Sequence, residues 1–111
     1  MRVVLLIAVL LTFNAPAVGK VFRSGESLYS SCKSPFLGEK GECMGFILGI
    51  AEAFDGSSSG LWGHSACIPR GILETQVHKA VFTWLKENQY ELNEVASKIV
   101  AEVLSNQWPC K

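Results

Sequence analysis

Six residues carry most of the chemistry open to this chain: Cys32, Cys43, Cys67, Cys110, His64 and His78. A nucleophilic Cys–His site needs a free thiol, because the thiolate is the attacking species. Four cysteines in a short exported chain read instead as two disulfides, which leave no thiol over. A zinc site built from these residues would need closely spaced ligand pairs such as C-x-x-C, and the cysteines here are widely and unevenly separated. The acidic pairs Glu39/Glu42 and Glu91/Glu94 read as solvated helix faces, and His78 beside Lys79 as a surface residue. The residues therefore point to no catalytic centre, no metal site and no cofactor.

The oxidising compartment is inferred from the start of the chain. Met1-Arg2 precedes an unbroken apolar run, Val3 to Leu11, and Ala17-Val18-Gly19 offers a small-x-small cleavage pattern. The run is too short to span a bilayer, which takes about 20 residues. The expected organisation is a removable signal over residues 1–19 and a periplasmic domain over 20–111, with no membrane anchor after cleavage. A domain of about 90 residues is one core, near the size where hydrophobic burial alone gives marginal stability. Removal of Arg2 leaves nine basic residues against ten acidic ones. That balance gives no electrostatic reason to expect nucleic acid as partner.

Periodicity argues for four helices. Ser24 caps a short first helix with Glu26 near its positive end and Leu28, Tyr29 and Cys32 inward. Ser34-Pro35 ends it, and residues 33–42, rich in glycine, read as a loop. Cys43, Phe46, Ile47, Ile50, Ala51 and Phe54 trace one face of a second helix. Gly45 and Gly49 adjoin that face and predict close approach by another helix, either of this chain or of a partner. A third helix is expected from Pro69, with Ile68, Ile72, Leu73, Gln76, Val77, Ala80, Val81, Trp84 and Leu85 in register. Asn88 and Glu91 resemble a capping box for a fourth helix bearing Leu92, Val95, Ala96, Ile99, Val100, Val103 and Leu104. The last two helices, over 69–87 and 89–107, would each run about 28 Å as an antiparallel hairpin. Its open end brings Cys67 beside Cys110, while Cys32 and Cys43 bracket the first connection. These pairs are favoured over Cys32–Cys110 with Cys43–Cys67.

Without a catalytic constellation, function falls to binding. The Asp55–His64 loop is the leading surface, with Asp55, Leu61, Trp62 and His64 as its contact residues. Trp62 either folds back over the core or is offered to a partner. Gln76, Lys79 and Thr83, on the flank of the third helix, form a second patch.

The ordered set C-M-G-F-I-L-G-I (Cys43 to Ile50), C-I-P-R-G-I (Cys67 to Ile72), W-L-K-E-N (Trp84 to Asn88) and W-P-C (Trp108 to Cys110) resembles the immunity proteins that guard against type VI secretion amidase effectors, the Tai or resistance-associated protein group. Trp108 and Gln89 stand where members tend to carry phenylalanine and proline. The resemblance implies a small, all-helical, disulfide-bonded periplasmic protein, often a homodimer, that binds a peptidoglycan amidase and blocks its cleft. The alternative expectations are a helical acid-stress chaperone of the periplasm and a structural envelope protein.

Overall fold

The computed structural model describes Phe22–Lys111; the signal expected over residues 1–19 lies outside them. The described chain is all-α: α1 (Gly25–Lys33), α2 (Leu37–Phe54), α3 (Glu74–Glu87), a 3-10 turn (Gln89–Glu91) and α4 (Ala96–Gln107). Every helix packs on each of the other three. Leu28, Ile47, Val81, Leu85, Ile99, Val100 and Leu104 are fully enclosed between them, so each helix contributes to one core. The disulfides are Cys32–Cys43 and Cys67–Cys110, the pairs that the helix geometry favours.

Ser24 caps α1 as expected, its Oγ accepting from the Ser27 amide at 3.2 Å. The connection that follows is far shorter than the loop expected over 33–42. Only Ser34–Phe36 lie outside helix, and Ser34 Oγ accepts from the Phe36 amide at 3.1 Å. Gly38 and Gly41, within the segment expected as a loop, both sit inside α2. Each costs about 1 kcal/mol there, which the eighteen-residue helix absorbs because Cys43, Ile47, Ala51 and Phe54 anchor it in the core.

Two other helix starts move for reasons of geometry. Pro69 opens a turn and not α3: Ile72 donates to the Pro69 carbonyl at 3.3 Å, and Gly71 at the third position has φ +94°. That is the left-handed conformation a type II turn requires. The helix begins five residues later at Glu74, where the Leu73 amide donates to Gln76 Oε1 at 2.8 Å. Leu73, expected in the core, is exposed.

Asn88 ends α3 and does not start α4, its amide and its Nδ2 both donating to the Trp84 carbonyl. The backbone from Leu92 to Ala96 is claimed by the N-terminal segment: Glu26 N donates to Leu92 O, Gly25 N to Glu94 O, and Ala96 N to Arg23 O, at 2.8–2.9 Å. Gly25 makes that approach feasible. A Cβ there would lie 2.6 Å from Ile99 Cδ1 and 2.8 Å from the Leu92 carbonyl oxygen.

Candidate functional site

The segment from Asp55 to Ala66 is tied by hydrogen bonds at both its base and its tip. At its base, Gly56 N donates to Ala66 O, and Asp55 Oδ1 accepts from the Ile68 amide at 2.7 Å. Asp55, expected to contact a partner, therefore brackets its own loop. At the tip, Leu61 and His64 exchange both backbone bonds, at 2.8 and 2.9 Å. The two residues between them, Trp62 (φ +54°) and Gly63 (φ +76°), are both left-handed, the signature of a type I′ turn. Glycine suits that conformation and tryptophan does not; a bulky residue there costs about 1–2 kcal/mol. Such strain in a displayed aromatic is the pattern that points to function.

Side chains lock the turn onto α4. Trp62 Nε1 donates to Ser97 Oγ at 2.9 Å, while the residue as a whole remains 52% exposed. Trp62 is therefore neither a core lid nor a free side chain: its polar edge is held and its apolar face is in solvent. Ser105 Oγ donates to the Glu102 carbonyl at 2.9 Å. Its single proton is thus used, which makes His64 Nδ1–H the donor in the 3.3 Å contact to Ser105 Oγ. A serine beside a histidine can form a nucleophile–base pair, but here the hydroxyl proton is turned away from the ring. Leu61 packs against the core. Of the four expected contact residues, Asp55 and Trp62 are exposed, and Trp62 alone presents a large apolar surface.

Gln76, Lys79 and Thr83 do converge. With Ile72, Gln107 and Trp108 they line an open groove of ≈ 550 Å³ between α3 and the end of α4. Of the two alternatives for Gly45 and Gly49, packing within this chain is not what is found: both are exposed, and a Cβ added at either would meet nothing within 4 Å. No helix of the described chain packs on them. With Gly41 and Ala53 they form a small-residue row at four-residue intervals along the outer face of α2.

Sequence reading passes over one exposed aromatic and places one histidine wrongly. Tyr90 is fully exposed (101%) on the 3-10 turn; no periodicity marks it, because it lies just past the end of α3. His78 lies within α3 against the Cys32–Cys43 bridge, stacked on Phe82 at 5.8 Å. It is half-buried, not the surface residue expected. Burial, with the positive charge of Lys40, holds its pKa below the ordinary value. Glu39, Glu42, Glu91 and Glu94 are exposed, and Glu94 pairs with Lys98 at 3.4 Å.

The family model for Rap1a immunity proteins matches residues 24–110, which is nearly all of the described chain. No curated protein matches the chain significantly.

Proposed function

The chain belongs to the Rap1a immunity protein family, a group directed against secreted effectors, and on that premise we propose that it protects the periplasm from a type VI secretion peptidoglycan amidase. Inhibition is steric in this reading: the immunity surface fills the cleft of the amidase and excludes substrate, with no chemistry by this chain. The observation that carries the reading is the rigid display of Trp62. A half-exposed indole held in a strained turn and tied to α4 gives a preorganised anchor, and anchors of that kind dominate binding energy at interfaces. Tyr90 supplies a second aromatic anchor at the turn between α3 and α4.

Residues 1–19 direct export in this reading, and the exported chain starts at Lys20. The small-residue row on α2 offers a face close enough in contour for a second copy, consistent with a homodimer. Family membership does not favour the acid-stress chaperone or the structural envelope protein.

The test is protection. Cells expressing an amidase effector targeted to the periplasm should lyse without this chain and survive with it, and the two proteins should co-purify from them. N-terminal sequencing of the exported chain should begin at Lys20, and light scattering should give twice the monomer mass. An amidase retaining full activity in excess purified chain would sink the proposal.

A further inference from the structure

The wide cysteine spacing argues against a metal site, but folding adds a ligand that spacing cannot show. Cys32 lies in the last turn of α1, Cys43 in α2 and His78 in α3; the two sulfurs and a ring nitrogen of His78 all fall within 4.8 Å of one another. The cysteines are 6% and 0% exposed. Phe82 stacks on His78, and Tyr29 stacks on Phe82 at 6.1 Å, so an aromatic wall flanks the cluster. Lys33, the residue after Cys32, holds its Nζ 5.0 Å from the centre of the Tyr29 ring.

We propose that reduction of the Cys32–Cys43 bridge converts this cluster into a site for a soft divalent cation, zinc or its cobalt surrogate, with Cys32, Cys43 and His78 as ligands and water completing the tetrahedron. Tetrahedral zinc holds thiolate sulfur at about 2.3 Å and imidazole nitrogen at about 2.0–2.1 Å, so its ligand atoms stand about 3.6–3.8 Å apart. Once the covalent bond is cut, the two sulfurs need only draw apart to that spacing. Their Cα atoms are 5.0 Å apart, on helices joined only by Ser34–Phe36, so the cut bridge leaves them neighbours.

The chemistry balances. A dithiol gives the bridge two electrons and two protons and becomes its own disulfide; a phosphine with water does the same and becomes the phosphine oxide. The cation then displaces two thiol protons to solvent. Two thiolates neutralise its charge, which suits an enclosed site. A neutral imidazole nitrogen supplies the third donor. One ion would tie α1, α2 and α3 where the disulfide ties two helices.

The experiment uses the full chain, reduced anaerobically with a water-soluble phosphine and titrated with Co²⁺. A thiolate-to-cobalt charge-transfer band and tetrahedral d–d bands should saturate at one equivalent and disappear when zinc is added. Zinc should shield Cys32 and Cys43 from alkylation and leave Cys67 and Cys110 reacting at their metal-free rates. His78→Gln should weaken cobalt binding at least about tenfold, since even outer-shell partners are worth about 10–100-fold; His78→Cys, which keeps a ligand, should restore it. Absent bands, shielding confined to Cys67 and Cys110, or unchanged affinity in His78→Gln overturns the proposal. A reduced chain that loses its helical signal and does not regain it with zinc overturns it equally.

Discussion

At the scale of single residues, the Trp62-Gly63 turn is where backbone and function pull in different directions. Replacing Trp62 by Asn, which tolerates the left-handed region, relieves about 1 kcal/mol of strain and removes a bond to Ser97 worth about 1 kcal/mol. We therefore expect Trp62→Asn to leave the unfolding free energy within about 0.5 kcal/mol of wild type, read by urea titration, while inhibition of the effector falls. Gly60 is the contrasting case. Its φ is +66°, and a Cβ would stand 2.3 Å from the His64 carbonyl oxygen. Gly60→Ala should destabilise by about 1–3 kcal/mol, seen as a lower denaturation midpoint at unchanged slope. His78 makes the stability depend on pH. Its folded pKa lies below the ordinary histidine value of 6.5, so below that value the unfolded chain binds more protons than the native one. The His78 contribution is complete above pH 6.5 and is lost as pH falls toward the depressed folded value. Thermal melts from neutral to mildly acidic pH should show this slope in the wild type, and His78→Gln should flatten it.

At the scale of helices, α2 combines a strong core face with a poor outer one. Gly45 and Gly49 are mid-helix, exposed and uncrowded, so alanine at each should raise stability by about 0.5–1 kcal/mol through lower unfolded-state entropy and better propensity. Higher melting temperatures in Gly45→Ala and Gly49→Ala would verify this. A fall in effector protection or in dimer mass in the same variants would mark the row as a contact face. The starts of α3 and α4 show the limit of local signals. The Pro69 turn and the Asn88 cap both looked like helix beginnings, because Pro at the first position and Asn beside Glu are real helix-start signals. A left-handed Gly71 and a backbone claimed by Arg23, Gly25 and Glu26 overrode them.

At the scale of the whole molecule, two covalent bridges supplement a core that is small for its surface. The bridges close segments of 11 and 43 residues in sequence separation. Loop entropy assigns them about 3 and about 4 kcal/mol respectively. Replacing Cys67 and Cys110 by Ser should therefore lower the unfolding free energy by about 1 kcal/mol more than replacing Cys32 and Cys43, compared by equilibrium denaturation of the two double variants. For an immunity protein the rigidity has a purpose, since each segment ordered before binding need not be ordered at the interface.

Helical periodicity and the cysteine positions were legible in the chain by itself, because both depend on local spacing. Leu28, Cys43, Ile47, Val81, Ile99 and Leu104 repeat at helical intervals, and their burial follows. The disulfide pairing was legible too, since two short hairpins bring each cysteine to its partner. The site was legible only as a segment. That Trp62 is pinned to Ser97, that His64 meets Ser105, and that His78 faces the Cys32–Cys43 bridge are facts of tertiary structure. Each depends on the angle at which one helix crosses another, which packing of the complete core decides and no window of sequence encodes. The helix starts at Glu74 and Ala96 belong with them: distant backbone groups compete for the same hydrogen bonds, and the competition is settled only once the chain has folded.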